Sequence, residues 1–286
     1  MRYGVVLFTS DRGITPARAA QAAEAAGFDC FYVPEHTHIP VRRDAAHPRT
    51  GTADLPDDRY LRTLDPWVSL AMAAAGTSVI RLGTAVALPA EHDPISLAKT
   101  IATLDHLSAG RVRLGVGFGW NSDELADHGV PAGKRRAVLA DYLAAMQALW
   151  SQPEASYTGE FVSFAASWAW PKPAQPRIPV TLGAAGTEKT FAWIARSADG
   201  WLTTPGETDI DAKAALLRER WRQAGREGLP AITVLAGKPD PDALAHWAEI
   251  GVTDVAFGMP DRSEPEVVAY LGRLAGRLGL APVTAR

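Results

Sequence analysis

Along this chain, short apolar runs alternate with longer stretches in which apolar residues recur every three or four positions. Residues 3–8, 29–33, 80–87, 111–117, 179–182, 200–203, 232–236 and 254–258 read as strands. Each is followed by helical patterning, at 16–26, 66–75, 94–107, 133–150, 188–198, 209–227, 241–250 and 264–278, with a shorter helix at 123–128. Punctuation supports the boundaries. Thr15 is placed to cap the first helix, Gly27 to stop it, and Pro66 stands at the first position of the second.

Eight strand-then-helix units with short buried strands predict a (β/α)8 barrel in the α/β class rather than an open doubly wound sheet. A barrel takes ~250 residues, so the 286 residues are expected to form one domain over 1–286. Two excursions interrupt the alternation, at 35–62 and 151–178. The first is rich in Arg, Asp, His and Pro and leaves the C-terminal end of a strand, the active face of this fold. The second holds a predicted hairpin around Thr158-Gly159-Glu160 and then a proline-rich crossing loop.

Composition narrows the function. Hydrophobic residues make up 47% and net charge is −3 with both signs mixed, which allows a large core and leaves no basic field for nucleic acid. No apolar run approaches the ~20 residues of a membrane span, and the start is strand-like rather than a signal peptide. The single cysteine, Cys30, rules out an internal disulfide and suits a reducing cytoplasm. Nine tryptophans, several in polar surroundings, suit a pocket for flat or apolar molecules.

The densest chemistry is Val33-Pro34-Glu35-His36-Thr37-His38, where a carboxylate, two imidazoles and a hydroxyl follow a strand. A carboxylate beside a histidine would orient the ring and raise its basicity. The same residues would also serve as a polar loop without chemistry. His36 and His38 alternate as metal ligands do, but no second cluster with ligand spacing accompanies them, so no metal is expected. Leu114-Gly115-Val116-Gly117-Phe118-Gly119-Trp120-Asn121 would let backbone approach a ligand, or merely relieve crowding. It lacks the spacing of a dinucleotide fingerprint. Gly183-Ala184-Ala185-Gly186-Thr187 precedes a helix, where free N–H groups make a phosphate site; it is equally an ordinary tight turn.

Taken together these words resemble the bacterial luciferase-like superfamily, in particular its deazaflavin-dependent oxidoreductases. The resemblance also includes Thr63-Leu64-Asp65-Pro66-Trp67, Leu82-Gly83-Thr84-Ala85-Val86, Thr103-Leu104-Asp105-His106-Leu107-Ser108-Ala109-Gly110-Arg111 and Ala198-Asp199-Gly200-Trp201. It implies a barrel with a cofactor across its C-terminal mouth and a non-prolyl cis peptide at Ala85–Val86. It implies hydride transfer with coenzyme F420, His36 as acid or base and Glu35 orienting it or touching the ring. Gly117, Phe118, Gly119 and Trp120 would flank the ring, and Gly183–Thr187 would hold the phosphate. His38, Trp67, Trp168 and Trp170 would shape the pocket for a small-molecule substrate. Relatives often carry Asp where this chain has Glu35, and some carry Glu in place of Trp120. The alternatives are an FMN-dependent monooxygenase on the same barrel and a flavin-binding protein without turnover. A homodimer is also implied.

Overall fold

The computed structural model describes residues 1–283. In chain order the elements are β1 (Arg2–Leu7), α1 (Pro16–Ala25), β2 (Cys30–Val33), α2 (Pro66–Gly76), β3 (Arg81–Thr84), α3 (Pro94–Leu107), β4 (Val112–Gly117), α4 (Ser122–Asp127), α5 (Arg135–Ser151), β5 (Ala155–Thr158), β6 (Ser163–Ser167), β7 (Val180–Gly183), α6 (Glu188–Ser197), β8 (Gly200–Leu202), α7 (Ile210–Gln223), β9 (Ala231–Ala236), α8 (Pro241–Glu249), β10 (Asp254–Met259) and α9 (Glu264–Leu278). The barrel closes in the order β1-β10-β9-β8-β7-β4-β3-β2, and every pairing is parallel. The predicted eightfold barrel is the observed one.

The helices form because apolar stripes meet good starts. Asp65, Asp93, Thr187 and Asp240 each accept a backbone N–H from the first turn of α2, α3, α6 and α8. Thr15 occupies the cap of α1 but makes no capping bond. The helix predicted over 209–227 stops at Gln223, because Gly225 turns the chain left-handed and the Arg226 N–H returns to Trp221. The strand predicted to Ala87 stops at Thr84. Beyond it the chain bulges, with Ala85–Val86 cis and the Glu35 and Gly117 N–H groups donating to the carbonyls of Val86 and Ala87.

Two glycines make room for that bulge. A Cβ on Gly117 would lie 2.6 Å from Val86 Cγ2, and one on Gly183 would lie 2.3 Å from Val86 Cγ1. The Val86 side chain therefore occupies space between the ends of β4 and β7 that no larger residue would leave.

The excursion at 35–62 folds over the mouth. Asp44 and Ala45 donate backbone N–H groups to Asp123 in the first turn of α4, and Arg62 and Asp58 pair with Asp11 and Arg12 after β1. The excursion at 151–178 carries the predicted hairpin, β5 against β6, on the outer side of α5, where Asp141 accepts from the Tyr157 hydroxyl and from the Phe161 and Val162 N–H groups.

The sequence run 103–111 has a structural role. Asp105 is fully buried and accepts from Val112 N, Gln175 N and Gln175 Nε2. Arg111 donates to carbonyls of Ala74, Thr77, Ile80 and Ser108. Together they tie α3, β4 and the crossing loop at the bottom of the barrel. Asp105→Ala should cost about 3 kcal/mol, because it orphans buried donors. In thermal denaturation that is a drop of roughly 6–12 °C for a chain of this size; an unchanged midpoint would contradict the role.

Candidate active site

His36 stands just beyond β2 and is nearly enclosed, its side chain 7% exposed. Its Nδ1 lies 2.8 Å from Oε2 of Glu124, whose side chain is fully buried. The other carboxylate oxygen accepts the Thr37 N–H at 2.9 Å. Trp120 points its indole N–H at His36 Nε2, 3.4 Å away. An indole N–H only donates, so Nε2 is the acceptor and the Nδ1–H faces Glu124. A buried carboxylate then holds the ring in one tautomer with its basic nitrogen on the Trp120 side, an arrangement that suits general acid–base chemistry.

Glu124 comes from the first turn of α4, where Asn121 caps the helix. Burial works to raise its carboxyl. The hydrogen bond and charge of His36 and the N–H groups of Thr37 and His38 outweigh that and hold it below the usual carboxylate range.

Glu35 was expected to orient His36, and the structure gives it another partner. Its carboxylate accepts the Leu88 N–H at 2.5 Å and faces His92 Nε2 at 2.7 Å. Consecutive residues leaving a strand diverge, so Glu35 and His36 aim apart. Glu124, 88 residues further on, fills the orienting position instead.

An aromatic wall surrounds His36. Tyr60 and Trp120 lie 5.5 and 5.8 Å from it by ring centroids, and His47 packs edge-on against both. The Tyr60 hydroxyl and His47 Nε2 are 3.0 Å apart. Burial, followed by the charges of Arg49, His36 and Arg43, pushes the His47 imidazole down. Both Tyr60 and His47 belong to the 35–62 excursion.

The other expected site residues separate into two groups. Ala85 and Val86 remain partly exposed at the mouth, opposite Gly117 and Gly183. Gly119 adopts a left-handed conformation with Leu125 behind it. The Phe118 side chain instead packs outward, edge-on to Trp193 and under the Arg136 guanidinium. His38 sits on the rim, exposed, bonded to Asp127 and edge-on to His128. Trp67 is core, with an unpartnered buried indole N–H among the described residues. Trp168 and Trp170 are 78% and 59% exposed. The Trp170 carbonyl accepts from Lys99 on α3 and its ring lies under Lys172, so both indoles belong to the outer helical layer rather than to the mouth. Trp150, Trp193, Trp201 and Trp221 are core and the half-buried Trp247 packs against it, which leaves Trp120 beside the acid–base pair.

Gly183–Thr187 runs from the end of β7 into α6, with Thr187 as cap. The Gly186 N–H faces the Glu207 carboxylate at 3.4 Å, and Lys213 and Thr204 bind the same carboxylate. Burial would raise Glu207, but these donors hold it below its ordinary value. The chain's own anion thus rests where a phosphate would be received, with Lys213 as counter-cation. Val86 with Gly117 and Gly183 beside it, and this loop, are the residues that could hold a ring and a phosphate. Among the described residues no group of three or more His, Cys, Asp or Glu is set to hold a metal ion, and no helix is long and apolar enough to cross a membrane.

Residues 11–247 match the family model described as luciferase-like monooxygenase. The chain belongs to that family. It is 70% identical over 278 residues to an uncharacterized protein of Mycobacterium tuberculosis, covering 97% of this chain and 99% of that one. It is 30% identical over 282 residues to an F420-dependent glucose-6-phosphate dehydrogenase of Kineococcus radiotolerans, covering 93% and 77%. The monooxygenase RslO1 from Streptomyces bottropensis shares the fold with a TM-score of 0.75 at 20% identity, covering 97% and 98%. Luciferase-like proteins of this family are oxidoreductases and monooxygenases.

The Glu35–His92 pair gives a pH prediction with a defined sign. Burial lowers the His92 imidazole, and the Glu35 hydrogen bond and charge more than reverse this, leaving it above its ordinary value. Its stabilising effect is present below the unfolded histidine range and fades as pH rises through the folded value. Glu35→Gln should move the His92 NMR titration downward and cost more stability at pH 5 than at pH 8. An unmoved His92 resonance would refute the pairing.

Proposed function

We propose that this chain is a coenzyme F420-dependent oxidoreductase that moves a hydride between the deazaflavin and a small organic substrate at the barrel mouth. The observation that carries the reading is the His36–Glu124 pair, a near-enclosed imidazole fixed in one tautomer by a buried carboxylate. The deazaflavin comes from the 30%-identical F420-dependent relative, which matches 93% of this chain.

Bound, the deazaflavin would supply the two-electron chemistry, which no side chain provides. The chain's residues do the rest. Val86 with Gly117 and Gly183 would support the ring, and Gly183–Thr187 with Lys213 would receive the phosphate. His36 gives or takes a proton at the substrate through Nε2, while Glu124 holds the ring in place. Tyr60, His47 and Trp120 limit water around that proton.

The family model and the fold shared with RslO1 favour a second reading, an FMN-dependent monooxygenase using reduced flavin and oxygen. Titrating the full chain with each cofactor while following tryptophan quenching separates the two. Tight deazaflavin binding, weak FMN binding and no oxygen consumption are expected; the reverse pattern establishes the monooxygenase. In the deazaflavin reaction His36→Ala should lower turnover by ~10²–10⁴ while cofactor affinity survives. Turnover near wild type would remove His36 from the mechanism.

A further inference from the structure

Glu91 is a buried acid that the acid–base pair does not itself use. It lies in the loop between β3 and α3 and is 5% exposed. The Thr37 hydroxyl reaches its Oε2 at 3.3 Å, and among the described residues its buried Oε1 has no partner. It shares this space with two further buried carboxyls, Glu35 and Glu124. Those two are provided for: Glu35 by Leu88 N and His92, and Glu124 by His36, Thr37 N and the Asn121 amide. Each faces one histidine, and among the described residues no cation bonds to Glu91. From the neighbouring elements it meets Thr37, Glu35 and His92 on the adjoining loops, and Glu124 on α4 with His128 behind it. From α5, Val138 and the Tyr142 ring pack against the adjoining Ala90. Three buried acids therefore share one low-dielectric space, and among the described residues Glu91 is the one with an oxygen that no donor reaches.

We propose that Glu91 is held as a neutral carboxylic acid whose O–H donates to Glu124, making it a positioning residue for the His36–Glu124 pair. The proton belongs on the Glu91 carboxyl, whose unpartnered oxygen would otherwise be a desolvated acceptor. Donated to Glu124, it leaves that carboxylate ionised and aimed at His36 Nδ1. Burial, then the charges of Glu124 and Glu35 and the hydrogen bond with Glu124, push the Glu91 carboxyl up to about 9, in the same direction. Loss of the proton at alkaline pH sets two anions against each other and loosens the support behind His36. The catalytic part of this inference rests on His36 being the acid–base group; the protonation of Glu91 does not.

The test uses the full-length chain and two variants. The infrared spectrum of the wild type at neutral pH should show the carbonyl stretch of a buried protonated carboxyl, shifted in deuterated water and absent in Glu91→Gln. Thermal unfolding should follow. A folded value raised above the ordinary 4.5 means that wild-type stability falls as pH climbs toward about 9, and Glu91→Gln should flatten that decline. In turnover, Glu91→Gln should keep kcat at pH 7 and move the alkaline limb of the pH profile upward. Glu91→Leu, which cannot donate, should lower kcat ~10-fold, the scale of one orienting hydrogen bond, with KM unchanged. A carbonyl band that persists in Glu91→Gln, or an alkaline limb identical to wild type, overturns the proposal. If His36→Ala retains turnover while the band disappears in Glu91→Gln, the reading of His36 has failed and the assignment of Glu91 stands.

Discussion

Charge buried in a low-dielectric interior must be matched at once, and in this protein that constraint assembles the mouth. Glu35, Glu91 and Glu124 lie within one small region, all 5% exposed or less. Each unmatched carboxylate there would cost several kcal/mol. The matching groups come from segments far apart in sequence: Leu88 N and His92 after β3, His36 and Thr37 after β2, Asn121 before α4. The loops carry little regular structure, so these polar contacts, rather than a strand ladder or helix stripe, hold them over the barrel.

The barrel supplies the rigid frame. Its β3 end bulges instead of continuing, and the Val86 side chain enters the space kept open by Gly117 and Gly183. The same bulge brings Leu88 N to Glu35 and carries the chain on to Glu91 and His92. One departure from regular strand geometry therefore seats Val86 between two strand ends and carries Glu91 into the buried acid cluster. On the opposite side, β7 runs into α6 through Gly183–Thr187, where Glu207 and Lys213 hold a charge pair against the loop. Any anion arriving there would compete with Glu207 for Gly186 and Lys213.

The histidines show how placement outweighs composition. His36 and His38 are two residues apart, yet one is nearly enclosed behind Trp120 and the other lies on the rim with Asp127. His47 and Tyr60, in a stretch with no periodic pattern, return to complete the aromatic wall. The tryptophans divide in the same way. Trp120 reaches the pair, while Trp168 and Trp170 lie exposed in the loop that follows the hairpin, where the Trp170 carbonyl meets Lys99 of α3.

What the sequence determined by itself was local or periodic. Strand and helix periods, proline and aspartate starts and glycine stops predict eight units, and short parallel strands followed by helices close in one way. The word around His36, the glycines at 117 and 183 and the loop before α6 were legible because each lies at the end of a readable strand. Tertiary structure alone decided the partners. Nothing local marks Glu124, three residues into a short helix, as the carboxylate behind His36, or Glu91 as a third buried acid beside it. Nothing local turned Glu35 away toward His92 either. Those assignments depend on distances across loops between different strands, and a side chain's charge state depends on what the rest of the fold places beside it.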